Sequence, residues 1–585
     1  MNTKLFPTLF LMLAAYAFAV DSTSYRFAIL GDRTGGNHPG IFEKIVEQAM
    51  LLNPKPDFFI NVGDLIQGYT PDTSDVRRQW EEATRIMAPL KAQFPFYQVP
   101  GNHDLSDPAT RSMYETYATK PYYSFDKGPD HFIVLNNVES RNPADLDTAQ
   151  FAWLKKDLKA SKGKRHTFVF FHIPLWSVST REKQMDALHA LFKKSGVDHV
   201  FNGHYHNYQQ GKRDNITYTI IGSSGGICGN SVPDGTVFHF AVVDVGRTVR
   251  IRPILLSGDT MDASWITEKK ARIFEDLDTK AFVFKPILFP YGAEPNSGPT
   301  VLNITNIFDK TQTFNISWTQ DSTCAWRMTP VSIPAFTLAP GAKKSLNFTY
   351  TRQKPGYINI PEIRFRLPYG QDTLTRVVYP FFKRELKILK AAKPILVDGN
   401  PNESVWTGTR TRPEHWLGNA TPDYDSSWVA LTYNDSNIYL AYSCFDPHPD
   451  SIIAPTEARF RDGVQLPEDK LRVYFALKNG GDSIYYQIYL SAKGALKDIR
   501  FTIESDGTRM DTKWDGVSAY IAHTTNTGFE GEMALPWKAL GVNKPVPLLV
   551  NFRHASARLN PRGDHWSYQE PWDSKPASFA DAPLE

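Results

Sequence analysis

Cysteine is scarce in this chain, with three in 585 residues, Cys228, Cys324 and Cys444, far apart in sequence. That spacing excludes a disulfide-framed scaffold and a thiolate zinc site, both of which need grouped cysteines, and leaves three buried small hydrophobes as the expectation. An excess of one charge is missing as well: 65 Lys and Arg stand against 62 Asp and Glu, for a formal charge of +3. No basic run marks a nucleic-acid binder, so charge names no partner. Long apolar runs are also lacking. The stretch Leu9–Ala15 is far short of the roughly 20 residues a membrane helix needs, and no later segment supplies one. Internal repeats and low-complexity tracts do not occur.

What the N terminus does have is Lys4, that apolar stretch, and then Ala17-Phe18-Ala19, a small-x-small pattern. This is a signal peptide over residues 1–19, cut after Ala19, and it predicts a secreted or periplasmic protein. Asn303-Ile304-Thr305 and Asn347-Phe348-Thr349 are glycan acceptors if the host is a eukaryote.

A chain of 585 residues is too long for one hydrophobic core and predicts several domains. Over 22–255, short apolar runs such as Phe27-Ala28-Ile29-Leu30 and Phe58-Phe59-Ile60-Asn61-Val62 alternate with helical stretches, an α/β pattern with both sheet faces covered. Residues 256–279 read as a connector, amphipathic around Trp265–Leu277. Residues 280–391 alternate apolar and polar positions between turns, as an immunoglobulin-like β-sandwich does, and supply no titratable cluster. Residues 392–585 read as a second all-β unit of jelly-roll-like type, and hold seven of the 13 tryptophans.

Polar clusters fall where the apolar runs of the first unit stop, which in open α/β sheets is where ligands bind. They are Gly31-Asp32, Gly63-Asp64, Gly101-Asn102-His103-Asp104, Phe171-His172 and Gly203-His204-Tyr205-His206. Singly, each is a common turn or a structural histidine. Together they offer carboxylates, an amide and imidazoles without a thiolate, a donor set for two divalent ions of zinc, manganese or iron.

This series resembles the calcineurin-like metallophosphoesterase family, over roughly residues 24–250. The resemblance implies an α/β sandwich and a phosphoester substrate attacked by a metal-bridging hydroxide, with no protein nucleophile. It implies that Asp64 bridges the ions, that Asn102, His172 and His204 complete one of them, and that Asp32 and His206 hold the other. His103 would protonate the leaving oxygen and Asp104 would orient it. One position departs from the family: Asp32-Arg33-Thr34 stands where Asp-x-His is expected, so one ion lacks an imidazole. His38, Asn37 or the Thr34 hydroxyl are the candidate substitutes, and the gap keeps open a binding or scaffold protein with weakened catalysis. Arg33 and Asn207 are candidate substrate contacts, with a surface ion pair as the alternative for Arg33; the same question attaches to Tyr208. Gln67 stands where the related purple acid phosphatases carry a ferric-iron tyrosine. The loop Gly222–Gly226 is a candidate wall of the substrate groove.

The C-terminal unit is similar to the family-9 carbohydrate-binding module, through Val397-Asp398-Gly399, Trp406, Tyr439-Leu440-Ala441-Tyr442, Arg461-Asp462-Gly463 and the run Phe529–Trp537. The resemblance implies extracellular carbohydrate as a partner, with Trp416, Trp514, Trp566 and Trp572 as stacking candidates and the aspartates as candidates for a structural calcium. The leading expectation is therefore an exported metal-dependent phosphoesterase cleaving a mono- or diester, with a glycan-directed module behind it. A nuclease or nucleotidase is the third reading.

Overall fold

The computed structural model describes residues 23–585 apart from 71, 139–145, 177–185, 229–230, 292–295, 319, 321–323, 325, 354–362, 370–371, 379, 381, 412–425, 455–467, 479–482, 505–506, 512–513, 557–559 and 566–578. The proposed signal peptide and Trp416, Trp566 and Trp572 lie outside the described residues.

The N-terminal unit runs β1 (Tyr25–Leu30), α1 (Ile41–Met50), β2 (Phe58–Asn61), α2 (Thr73–Lys91), β3 (Phe96–Gln98), α3 (Pro108–Tyr117), β4 (Tyr123–Lys127), β5 (Asp130–Val134), α4 (Thr148–Ala160), β6 (Thr167–Phe170), α5 (Asp186–Ser195), β7 (His199–Asn202), β8 (Gln209–Arg213), β9 (Ile216–Ile220), β10 (His239–Val245) and β11 (Val249–Leu255). Two sheets form, ordered β11-β10-β1-β2-β3 and β4-β5-β6-β7-β9-β8.

The alternation inside each apolar run explains how they stack. Phe27 and Ile29 of β1 point inward to meet Phe132, Phe168, Phe170 and Phe201 of the other sheet, in a fully buried aromatic core. Each such ring contributes about 1.5–3 kcal/mol by leaving water. Ala28 and Leu30 point outward onto α1 and α2, while Ile133, Val169 and Val200 do the same under α4 and α5. Both faces of both sheets are covered, which is why the strands read as unbroken apolar runs. Helix starts are fixed locally: Asp107 caps α3 through a reciprocal pair with Thr110, and Asp72 caps α2 through the Ser74 N–H.

Strands β1, β2 and β3 are mutually parallel, as are β5, β6 and β7. Their carboxyl ends therefore emerge along one edge of the sandwich.

Beyond β11, a helix over Glu268–Asp276 starts at Thr267, whose side chain accepts the Lys270 N–H. It is docked on the first unit: Gln210 N–H donates to Ile266 O at 2.8 Å, and Trp265 stacks on Tyr208. Tyr208 is fully buried with its hydroxyl on Ala263 O at 2.8 Å, so it anchors the connector and is not a substrate contact. The rest of the chain is mostly β. Residues 282–378 form two four-stranded sheets around a core that includes Phe314, Trp326, Phe348 and Phe365. The C-terminal part forms a six-stranded and a seven-stranded sheet with Leu440, Val473, Ile488, Met533 and Phe552 between them. Trp514 packs there on Tyr486, ring centroids 4.6 Å apart, and its indole N–H donates to Ala539 O. It is half-buried against that core, with its polar edge satisfied inside. No cysteine is in a disulfide, and Cys324 and Cys444 are buried.

Candidate metal centre

All five polar clusters meet at the common edge. Asp32 follows β1, Asp64 follows β2, Asn102 and His103 follow β3, His172 follows β6, and His204 and His206 follow β7. Four of these, Asp32 (φ 52°), Asp64 (φ 57°), His204 (φ 76°) and His206 (φ 52°), hold left-handed backbone conformations. Non-glycine residues adopt that region at a cost, and such strain gathers where side chains must be aimed at a ligand.

The donor atoms fall into two groups, Asp64 with His172 and His204, and Asp32 with Asp64 and His206, each within 4.8 Å. Asp64 is common to both. In the first group His172 Nε2 lies 3.0 Å from Asp64 Oδ2 and 3.1 Å from Asn102 Oδ1, and His204 Nδ1 lies 2.8 Å from the same Asn102 oxygen. His172 Nδ1 sits 2.8 Å from Val62 O, and a backbone acceptor there fixes the tautomer that turns Nε2 to the cluster. In the second group Ile227 O does the same for His206, whose Nε2 is 3.5 Å from Asp32 Oδ1.

Close approach is allowed by missing side chains. A Cβ on Gly101 would lie 2.1 Å from Asp64 Oδ1, and one on Gly222 would lie 2.3 Å from Asp32 Oδ2. The Gly222–Gly226 loop is thereby explained, and not as an open groove wall: Ser224 exchanges hydrogen bonds with Gly31, and Gly226 N–H donates to Asp32 O. Ser223 and Ser224 are fully buried. The loop clamps the Asp32 turn.

The electrostatics call for positive charge in the middle. Burial pushes the Asp64 carboxyl up, but His172 and His103 beside it outweigh this and hold it well below the usual carboxylate range. Burial pulls His172 down, yet Asp64 overrides it and raises the imidazole to about 9. His204 is pushed down to about 3 by burial and by His172, so it stays neutral and able to ligate. Asp32 is raised by burial, and its Oδ2 is a buried oxygen with no hydrogen-bond partner. An orphaned carboxylate oxygen facing imidazoles, with no thiolate, fits hard or borderline divalent ions. When bound, such ions supply Lewis-acid activation of a phosphoryl group and of the water that attacks it.

His103 stands beside the groups and ligates in neither. Its Nδ1 lies 2.6 Å from Gln67 O and 3.3 Å from Gln67 Nε2, which turns Nε2 toward the groups, 4.0 Å from Asp64 Oδ2. The expected orienting role of Asp104 is corrected by its contacts. Asp104 accepts backbone N–H groups of Gly101, Asp64, Leu65 and Ile66 at 2.9 to 3.1 Å and makes no contact with the His103 ring. Burial and then the Asp64 charge raise it to about 6, against the pull of those N–H groups.

Three other expectations change. Arg33 turns away from the cluster: it is 6% exposed, donates to Leu65 O at 3.0 Å and pairs with Glu82 at 2.6 Å. Thr34 Oγ1 lies 3.0 Å from Asp64 O and 2.5 Å from Ile66 O, so its hydroxyl is committed to backbone. His38 is exposed, with its ring edge-on to Phe238, and joins neither group. Among the described residues no further His, Cys, Asp or Glu joins the Asp32–Asp64–His206 group. Asn207 follows His206 in the same loop, and its Oδ1 is buried without a hydrogen-bond partner.

Sequence reading missed Tyr69. Its hydroxyl accepts from Asn102 Nδ2 at 2.9 Å and its ring meets His103 edge-on at 4.8 Å. The signal was Gly68 before it, where a Cβ would run into His103 O, marking a loop pressed against the Asn102-His103 turn.

Fold and site together define an α/β sandwich domain with two carboxylate-and-imidazole donor groups that share Asp64 at one edge. Residues 25–208 match the family model described as calcineurin-like phosphoesterase. The serine/threonine-protein phosphatase CPPED1 of Homo sapiens is 32% identical over 205 residues, covering 31% of this chain and 64% of that protein. Purple acid phosphatase 15 of Arabidopsis thaliana is 29% identical over 221 residues, covering 30% of this chain and 41% of that protein. The similarity extends to a purple acid phosphatase although Gln67 stands at the tyrosine position. Among solved structures, "GAP50 the anchor in the inner membrane complex of Plasmodium" aligns at 17% identity and a TM-score of 0.32, over 41% of this chain and 88% of that one. The chain thus spans a little under two thirds of the human relative's length, through its N-terminal domain alone.

Proposed function

We propose that this protein is an exported hydrolase of phosphate mono- or diesters that works with two divalent ions. The observation that carries the reading is the sharing of Asp64 by two donor groups, with His103 beside them and outside both. Asn102, His172 and His204 would hold one ion and Asp32 and His206 the other, with Asp64 common to both groups. His103 keeps its Nδ1 against Gln67 O and delivers the Nε2 proton to the leaving oxygen. Tyr69 and Asp104 keep Asn102 and the Asp64 loop in register. The two relatives are named as phosphatases, which supports the reaction class.

A second reading is favoured by one observation. With Thr34 bonded to backbone, the Asp32–His206 side has one imidazole, and a weakly held second ion would leave a binding or scaffold protein. Hydrolysis of bis(p-nitrophenyl) phosphate and p-nitrophenyl phosphate after chelation and reloading with manganese, zinc or iron separates the two. Turnover that returns with metal supports the enzyme. Metal bound at two equivalents with no turnover of either ester would sink it.

Export rests on the pattern Lys4, Leu9–Ala15 and Ala17-Phe18-Ala19, and predicts a mature N terminus at Val20. The β-rich regions over 280–391 and 392–585 are proposed as an immunoglobulin-like spacer and a carbohydrate-binding-module-like sandwich that brings the enzyme to glycan. Passage of the full-length protein through immobilised glycans without retention would remove that role. For the structural calcium, the carboxylates of Asp398, Glu403 and Glu532 come together, but Trp406 N–H already donates to Glu403 and Glu532, and the Asp398 and Gly399 N–H groups donate to Glu532.

A further inference from the structure

The seven-stranded C-terminal sheet includes Lys470–Leu477 between Ile484–Ser491 and Leu548–Ser556. Alternation sends Leu471, Val473 and Phe475 into the core, together with Ile488, Leu490, Val550 and Phe552. The other face is charged. Arg472 is registered directly opposite Arg553 on one neighbour and Tyr489 on the other. Lys470 lies on the same face, one pleat along.

This face is not an open solvated surface. Lys470 and Tyr474 are each 1% exposed and Asn551 is 0% exposed, with Arg472, Tyr489 and Arg553 half-buried. Like charges directly opposite on adjacent strands repel, and partial burial strengthens the repulsion by removing water. Sheets ordinarily answer such a pair with a carboxylate. Here Glu468 is the carboxylate in the cluster, and Lys470 takes it at 3.3 Å. Among the described residues neither arginine makes an ion pair, and the Nε of both is buried without a hydrogen-bond partner. What lies against Arg472 is aromatic: its guanidinium is 4.9 Å from the Tyr489 ring centroid, with Lys470 at 5.8 Å from the same ring. Burial lowers Arg553, with the Tyr474 hydroxyl as its neighbour.

Two planar guanidinium forks, registered opposite each other on adjacent strands, therefore have no carboxylate partner among the described residues. We infer that the Arg472–Arg553 face binds an oxyanion, a phosphate, sulfate or carboxylate group, at a site separate from the metal centre. Guanidinium forks match such groups with paired N–H donors, and the Tyr489 ring lies against Arg472 without neutralising it. The inference does not depend on the phosphoesterase reading.

Calorimetric titration of the full-length protein with sodium phosphate, sodium sulfate and sodium galacturonate, at matched ionic strength against sodium chloride, tests it. Saturable binding of at least one is expected, weakened at least tenfold in Arg472→Gln and in Arg553→Gln, and persisting in Asp64→Asn, in which the metal centre no longer contributes to phosphate binding. Binding of phosphate and sulfate alike points to a free oxyanion, and binding of galacturonate alone to a sugar acid. Binding lost in Asp64→Asn but kept in both arginine variants would overturn the inference, as would no saturable binding of any of the three. Should either glutamine variant fold poorly, Arg553→Lys keeps the charge and removes the fork. It is expected to weaken binding at least threefold, and unchanged affinity would overturn the site. In chloride buffer Arg553→Gln is expected to raise the melting temperature, because it relieves an unanswered repulsion. A lower melting temperature together with unchanged anion affinity would make the arginines structural.

Discussion

The Asp104 carboxylate accepts the backbone N–H of Asp64 at 2.9 Å, and with it the N–H groups of Leu65, Ile66 and Gly101. One side chain thereby ties the loop after β2 to the loop after β3. Asp104→Asn puts an amide N–H where two backbone N–H groups converge, so Asp64 moves. The expected outcome is a loss of about 10–100-fold in metal affinity, read by metal analysis after dialysis. Full metal content with a loss of turnover alone would return Asp104 to the His103-orienting role.

His103→Ala should keep both ions and lose about 10²–10⁴-fold in kcat on an ester with a poor alkoxide leaving group. The loss should be smaller on p-nitrophenyl esters, whose leaving oxygen needs little protonation. An equal loss on both kinds of ester would remove the proton-donor assignment.

Tyr69→Phe deletes the hydroxyl that accepts from Asn102 and keeps the ring against His103. A hydrogen bond of about 1 kcal/mol corresponds to roughly a fivefold effect. That drop is expected in kcat or metal affinity, with the melting temperature little changed. Steady-state kinetics and metal titration on the same preparation check it.

Arg33→Met should act on stability and not on substrate. It removes a buried guanidinium from Leu65 O and Glu82, and since the Glu82 side chain is 40% exposed the pair is partly screened. A loss of about 1–3 kcal/mol is expected in chemical denaturation, with KM within about twofold. A rise in KM of tenfold or more would restore Arg33 as a substrate contact.

The ion triad at His131 gives a pH dependence away from the site. Burial pulls this imidazole down, but Asp157 at 2.8 Å and Asp126 at 2.7 Å outweigh it, and its pKa is raised above the ordinary 6.5. A raised folded pKa means stability that is fully present below 6.5 and lost as pH rises through the folded value. Melting temperature should therefore fall over that window in the parent protein and fall less in His131→Gln. Parallel curves for the two proteins would refute the coupling.

The sequence by itself determined the strand-and-helix alternation of the first unit, because runs such as Phe27–Leu30 are apolar on both faces and are stable only as central strands. It also marked the polar cluster, since Asp32, Asp64, Asn102, His172, His204 and His206 each follow a strand end, where the structure brings them together. It could not decide what each polar group faces. Arg33 and Asp32 are adjacent in sequence, yet one turns to Glu82 under α2 and the other to His206 across the site. Asp104 and His103 are adjacent too, and their partners come from the loop after β2. Such choices are made by backbone groups brought together from distant strands, among them Val62 O, Gln67 O and Ile227 O. Tertiary structure decided them, because a backbone carbonyl is the same chemical group at every position, and only the fold places it against a particular imidazole.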